Sequence, residues 1–420
     1  MSNDNNDLIQ QVSDLKKYRL VFLLNQDIES SAAVGRYFPI AVKLASLGFN
    51  VKIIGLHPNY QNTYRRRFIE QGVEIIYVGQ MHVKKYNNKK EYFSPLYTGI
   101  LVIKAIIAIC IEAIRSNCDI IFVGKPQPIN GIAGIVTKAV RRKPLITDCD
   151  DYETENNRIS NFLIKSLLHF SEKKILEVSD KITVLSSSLI EKYLSIGVPQ
   201  EKLIYLPHGI INTKEYNSVF LHNKLKEYNL FEKKIIVYAG SISSWSHDLD
   251  LLLDSFYLVK QKCPNAILLV VGRGESISDI LRKSKHLGVN DSLLYLGWKP
   301  HHEIGLYYKI AHVAVDPVKN NPAGRYSVSL KIFDSIAYKT PLVTVDVGDR
   351  KKILGDPPCA LIVPPDDPFA FSDAILNILS NEELRITLMQ RMNDLKQKYS
   401  WDNQISILTS IVFELAKNEK

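Results

Sequence analysis

The chain has 420 residues, of which 46% are hydrophobic and 23% charged, and 53 Lys and Arg against 44 Asp and Glu give a formal net charge of +9. That length exceeds one core, so two domains of about 200 residues each are expected. Five cysteines (Cys110, Cys118, Cys149, Cys263, Cys359), odd in number and in no paired spacing, argue against a disulfide framework or a zinc site and predict a reducing, cytoplasmic setting. The polar, acidic first residues, Met-Ser-Asn-Asp-Asn-Asn-Asp, are the reverse of a signal peptide, so no export is expected.

In chain order, apolar runs at 19–24, 50–54, 73–78, 120–123, 144–147 and 182–185 predict strands. A helix over 33–47 is closed by Gly48, and helical segments trail the later strands. The stretch 100–114, ILVIKAIIAICIEAI, falls short of the roughly 20 residues that cross a bilayer. Its charges, Lys104 and Glu112, lie nearly on one face, which predicts a buried core helix with a single wet edge; shallow insertion of an amphipathic face is the alternative. Leu206-Pro207-His208-Gly209-Ile210-Ile211-Asn212 punctuates the chain at its middle. Strands then resume at 234–239, 266–271, 293–296, 313–315 and 342–345. The pattern is α/β: two Rossmann-like, doubly wound parallel-sheet domains in series, with ligands expected at the carboxyl ends of the strands.

Residues 324–343, GRYSVSLKIFDSIAYKTPLV, carry the most specific signal. Ser329 is a natural N-cap, and Ile332, Phe333, Ile336 and Ala337 recur at helical spacing to form a buried stripe. Lys331 and Asp334, three apart, are expected to share the other face. A cation beside the free N–H groups of a helix start suits a diphosphate, and a carboxylate one turn on can accept from ribose hydroxyls. A solvated ion pair on an ordinary helix is the bland alternative.

The segment resembles the C-terminal signature of GT-B glycosyltransferases, particularly glycosyltransferase family 4 (group 1), which reads roughly K-L-F-E-Y-M-A-x-G-K-P-V-V. The resemblance implies two domains facing a cleft: an acceptor domain over 1–212, a nucleotide-sugar donor domain over 213–398, and a C-terminal segment, 399–420, crossing back to the first domain. It sets Asp334 at the ribose and Lys331 near the phosphates, with further phosphate contacts at Arg325, Ser327 and Ser329. Tyr326 stands where many members have a second Glu. Tyr238-Ala239-Gly240-Ser241 resembles the family's V-G-R-L element, which places Gly240, Ser241 and His247 at the donor, the last two replacing an Arg and a Lys. Val271-Gly272-Arg273-Gly274 resembles its V-G-x-G-P turn, which adds Gly272.

In the first half, the loop 25–36 is small and polar. The resemblance makes it border the acceptor and the diphosphate, with Asp27, Gly35 and Arg36 as contacts; a surface ion pair is the alternative for Arg36. The loop Asp148-Cys149-Asp150-Asp151-Tyr152-Glu153 follows the strand at 144–147. Asp150 or Asp151 is the candidate to orient or deprotonate the acceptor hydroxyl. No metal and no cofactor are expected, since basic groups of the second domain can neutralise a diphosphate.

Basic residues cluster in the first half at Arg65–Arg67, at Lys84, Lys85, Lys89 and Lys90, and at Arg141–Lys143, with Tyr64, Phe68, Tyr86, Tyr92 and Phe93 interleaved. No nucleic-acid motif presents them to a groove, whereas rings beside cations favour an anionic membrane surface; plain solubility charge is the alternative. The expectation is a retaining glycosyltransferase, cytoplasmic and peripheral on the inner membrane face. It would move a sugar from a nucleoside diphosphate to a lipid-linked acceptor in polysaccharide or glycan assembly. The rivals are a catalytically inactive GT-B-like partner, a nucleotide-sugar 2-epimerase and a charge-driven nucleic-acid binder.

Overall fold

A computed structural model describes residues 18–30, 32–86, 89–156, 162–210 and 213–417. The acidic start, Ser31 of the first loop, and Ile211 and Asn212 of the mid-chain run lie outside the described residues. The chain divides into two compact units, one ending at His208 and taking in the helix Trp401–Lys417, the other running from Gly209 to Ser400.

The first unit contains β1 (Arg19–Leu23), β2 (Asn50–His57), β3 (Arg67–Glu70), β4 (Val73–Gln80), β5 (Val83–Tyr86), β6 (Lys89–Tyr92), β7 (Ile120–Gly124), β8 (Leu145–Cys149), β9 (Lys181–Val184) and β10 (Leu203–Tyr205). Eight of them form one sheet in the order β10-β9-β8-β7-β1-β2-β4-β3. Every pairing in it is parallel except that of β3 with β4. The chain winds outward from β1 through β2 to β4, then returns to β7 and winds the other way, so the topological switch point lies between β1 and β7. β7 and β8 are buried throughout, because a parallel sheet covered on both faces has no wet side. Helix Trp401–Lys417 packs on helix Phe38–Ser46, with Phe413 against Tyr18 and Phe49 and Lys43 Nζ 2.6 Å from Asp402.

The stretch read as a buried helix is longer and less covered than its sequence implied. It spans Pro95–Arg115, 21 residues, and only Leu101, Ala105, Ile109 and Ala113 are buried. These four recur every fourth residue, and Ala105, Ile109 and Ala113 join the sheet core; the isoleucines opposite face outward. β5 and β6 pair as a separate antiparallel hairpin leading into this helix.

The second unit contains β11 (Lys234–Ser241), β12 (Ala266–Arg273), β13 (Leu293–Gly297), β14 (Val313–Asp316), β15 (Leu342–Val345) and β16 (Ala360–Val363). They form a fully parallel sheet in the order β13-β12-β11-β14-β15-β16. Its switch point falls between β11 and β14. The core includes Ile236, Tyr238, Val270, Val315 and Val343 from the strands, closed by Phe256 and Phe371 from helices Leu249–Lys262 and Pro368–Ser380.

Candidate functional site

In the second unit, the ends of β11, β12 and β14 converge on the start of helix Leu330–Tyr338. Ser329 caps this helix, accepting from Lys331 N, and Ile332, Phe333, Ile336 and Ala337 are all buried. Lys331 and Asp334 do not share a wet face. Lys331 is buried too, at 4% exposure. Its ammonium lies 3.2 Å from Ser329 Oγ, 3.6 Å from Asp316 Oδ1 and 4.9 Å above the Tyr238 ring. A β-carbon on Gly240 would come within 2.8 Å of Lys331 Cε, and one on Gly272 would strike the Gly240 carbonyl oxygen. These two glycines let the strand ends close over the lysine.

Asp316 stands at the end of β14, fully buried, and its tight partner is Arg350, with Nε 3.0 Å from Oδ2. Arg350 also donates to the carbonyl of Val347 at 2.9 Å, while Thr344 Oγ1 donates to Asp316 at 3.2 Å. Burial works to raise the Asp316 pKa, but Arg350 and then Lys331 prevail and hold it at about 2. For Lys331 the balance is opposite. Burial lowers its pKa by more than Asp316 raises it, which leaves a desolvated cation short of anionic partners at a helix N-terminus.

The other predicted donor residues lie around this centre with different roles. His247 is half-buried, and desolvation followed by Lys331 drives its pKa well down, so it brings no charge. Ser241 is exposed at the end of β11, its carbonyl accepting from the Tyr238 hydroxyl at 2.5 Å. Asp334 is 3.3 Å from His301 Nε2; burial lowers the imidazole's pKa, but the carboxylate outweighs it and raises the net value. Arg325, on the short helix Pro322–Tyr326, is exposed and donates from Nε to Asn320 Oδ1 at 2.8 Å. Ser327 Oγ donates to the Ala323 carbonyl at 2.6 Å.

In the first unit the predicted residues also gather at the switch point, and Arg36 departs from its expected role as a ligand contact or surface ion pair. It is fully buried, with Nε and Nη2 donating to the two Asp148 oxygens at 2.6 and 2.7 Å and Nη2 also to the Leu206 carbonyl at 2.9 Å. The guanidinium therefore locks the loop after β1 to the end of β8. Gly35 is buried in the π-type turn Ala33–Tyr37. Asp27 is buried and bound by Lys85 Nζ at 3.1 Å and by the Ser30 hydroxyl.

Asp150 and Asp151 join a cluster that sequence reasoning only half found. Lys125, with φ of 70° just after β7, places its ammonium 3.0 Å from Asp150 Oδ1, 3.0 Å from Asp151 Oδ2 and 3.2 Å from Glu153 Oε1. Burial, offset in part by Lys125 and reinforced by Asp150 and Glu153, moves Asp151 up to about 7. Glu153 accepts from Gln127 at 2.5 Å, and Gln127 accepts in turn from Asn25 in the loop after β1. Oxygens of Asp150, Asp151 and Glu153 lie within 4.8 Å of one another, close enough to share a metal ion. Lys125 already supplies the cation at that point. Behind the cluster, Glu172 accepts from Thr154 N and Oγ1 and from the Tyr193 hydroxyl, and burial raises it to about 7.

Residues 233–381 match the family described as Glycosyl transferases group 1. The chain is 24% identical over 184 residues to D-inositol 3-phosphate glycosyltransferase of Corynebacterium urealyticum, which covers 42% of each protein. It spans about half the length of the curated relatives it matches. Among solved structures, a glycosyltransferase from Rickettsia africae superposes with a TM-score of 0.73 at 14% identity, over 96% of this chain and all of that one. Anabaena HepE in complex with UDP-glucose gives 0.71 at 12% identity, over 95% and 99%. Over residues 233–381 the chain is thus similar to the Glycosyl transferases group 1 family, and it has the GT-B fold.

Proposed function

We propose that the protein is a glycosyltransferase of glycan or glycolipid assembly, taking a sugar from a nucleoside diphosphate to an acceptor hydroxyl with retention of configuration and without a metal. The observation that carries this is Lys331, a buried ammonium short of anionic partners at the capped start of helix Leu330–Tyr338. A diphosphate gives it the charge it lacks, and the helix N-terminus adds free N–H donors. As the glycosidic bond breaks, negative charge grows on the leaving phosphate, and a cation already fixed there stabilises it without reorganising. Asp334 accepts from the ribose, and Arg325, exposed beside the same helix, reaches the phosphates. In the first unit, Asp151, titrating at about 7, orients the acceptor hydroxyl and takes its proton, while Lys125 holds the carboxylates in place. The basic balance of the chain favours a lipid-linked acceptor and work at the cytoplasmic face of an anionic membrane.

One observation favours a second reading, a donor-binding protein without turnover: Ser241 and the neutral His247 stand where the family pattern has an arginine and a lysine. The test is a thermal-shift series with UDP, GDP, ADP and their sugar conjugates, with and without Mg, on the wild type and on Lys331→Ala and Asp334→Ala. Ligand at about 100 times its Kd stabilises by roughly 2.7 kcal/mol. A shift with one nucleotide, independent of Mg and lost in both variants, is expected. No shift with any nucleotide refutes the donor site. A shift without sugar transfer or donor hydrolysis selects the second reading.

A further inference from the structure

Helix Pro95–Arg115 is long and apolar enough to cross a membrane by length and composition, yet its buried stripe ties it into the sheet core. What is unusual is the opposite side. At 100° per residue, Leu96, Ile100, Ile103, Ile107 and Ile111 fall within an arc of about 80°, diametrically opposite the buried stripe. All five are exposed: 81% for Leu96, 60% for Ile103 and 52% for Ile107. A helix of this kind ordinarily shows polar residues to water. The apolar character continues sideways. Helix Pro128–Arg141 packs between this helix and helix Phe162–Val178; it exposes Ile132, Val136 and Val140 on one stripe, and the third helix exposes Leu167 and Phe170.

The charges around this face have one dominant sign. Lys104 and Lys173 are exposed on the first and third helices and Arg142 one residue past the second, while the exposed Glu177 of the third helix is paired with Lys174 at 3.1 Å. At the entry to the first helix, Lys84 Nζ lies 5.3 Å from the Phe93 ring centre, and Phe93 meets Tyr97 edge-on at 5.2 Å. Glu112 on the same helix is neutralised by Arg67 at 2.8 Å. The basic runs of the sequence contribute unequally, since Arg65 is engaged by Glu70 and Lys85 by Asp27; the side chains of Lys89 and Lys90 lie outside the described residues.

We propose that the outer face of helices Pro95–Arg115, Pro128–Arg141 and Phe162–Val178 docks flat on an anionic lipid bilayer. The isoleucines and aromatic rings enter the headgroup boundary, and the lysines meet lipid phosphates. This deepens the membrane side of the proposed function and stands apart from the transfer chemistry. An apolar face alone would serve a second copy of the chain equally well; a fringe of one sign favours the lipid, because two copies would set those cations against each other.

The test is co-sedimentation of the full-length protein with vesicles of phosphatidylcholine alone and of phosphatidylcholine and phosphatidylglycerol in equal parts. Partition onto the anionic vesicles is expected to be about tenfold stronger or more, and weaker in high salt. Ile103→Glu combined with Ile107→Glu should lower it by at least about tenfold, with the nucleotide-induced thermal shift retained. Should that variant fail to fold, Lys104→Glu with Lys173→Glu replaces it, and loss of the anionic preference is expected. Equal partition onto both vesicles, or anionic binding unchanged in the folded variant, overturns the proposal. So does a lipid-free, concentration-dependent dimer in sedimentation equilibrium that Ile103→Glu with Ile107→Glu dissociates. A retained nucleotide shift in a protein that ignores vesicles sinks the docking face and leaves the donor site standing.

Discussion

Replacing Arg350 with Met tests whether the ion network under Lys331 is built as described. Arg350 and Asp316 are 2% and 0% exposed, so the substitution strands a buried carboxylate whose remaining cation, Lys331, lies 3.6 Å away. Removing one member of a buried pair costs about 3–5 kcal/mol. For a unit of this size, where 1 kcal/mol shifts Tm by about 2–4 °C, the expected fall is about 6–20 °C. The pH dependence has a definite sign. Asp316 titrates at about 2 in the folded chain against 3.8 ordinarily, so its contribution, on the order of 2 kcal/mol, is fully present above pH 3.8 and lost as pH falls through 2. Arg350→Met should shrink that acid sensitivity as well as lower Tm at neutral pH. Asp316→Asn combined with Arg350→Met removes the stranded charge and should recover part of the loss, with a coupling energy above about 1 kcal/mol. The assay is urea unfolding of the wild type, both single variants and the double variant at pH 7, repeated towards pH 3. Additive single-variant losses would refute the pairing, and so would an Arg350→Met protein as stable as wild type.

Gly240→Ala sets a β-carbon 2.8 Å from Lys331 Cε; displacing the ammonium should weaken nucleotide binding about tenfold or more, since a charge-assisted contact contributes about 1.5–3 kcal/mol, as titration calorimetry would read. Glu172 titrates at about 7 folded against 4.5 ordinarily. A raised carboxyl favours folding fully below pH 4.5 and loses that advantage as pH rises through 7, so Glu172→Gln should flatten stability over this window in pH-dependent melts. With Lys125 already among Asp150, Asp151 and Glu153, EDTA should leave transfer unchanged, whereas Asp151→Asn should lower kcat by about a hundredfold or more with the nucleotide Kd unaltered; inhibition by EDTA that Mg or Mn reverses would refute this.

Why some of this was legible in the sequence and some was not follows from what each residue's role depends on. Strands such as β12 and β15 announce themselves as short apolar runs, because a strand buried on both faces has nowhere to put a polar side chain. β3, β5 and β6 lack that signature; they are short and antiparallel, and they carry Arg67, Lys84 and Lys85 on exposed or half-buried faces. Ser329 was readable as a cap because its role is local. Arg36 was not readable as buried, since its partners Asp148 and Leu206 lie 112 and 170 residues away, and nothing near Arg36 in the chain marks it. Arg350 is the stronger case, for it sits in a run, Asp349-Arg350-Lys351-Lys352, that reads as surface, yet it turns inward to the end of β14. Lys125 was overlooked for a different reason: its left-handed backbone, which aims the ammonium at three carboxylates from the next strand's loop, leaves no trace in composition. Helix Pro95–Arg115 misled in the opposite direction. An apolar run reports that water is avoided and not what replaces it, so the sequence left a core helix with one wet edge and an inserted amphipathic face as alternatives, and only the structure shows that the buried stripe is confined to Leu101, Ala105, Ile109 and Ala113.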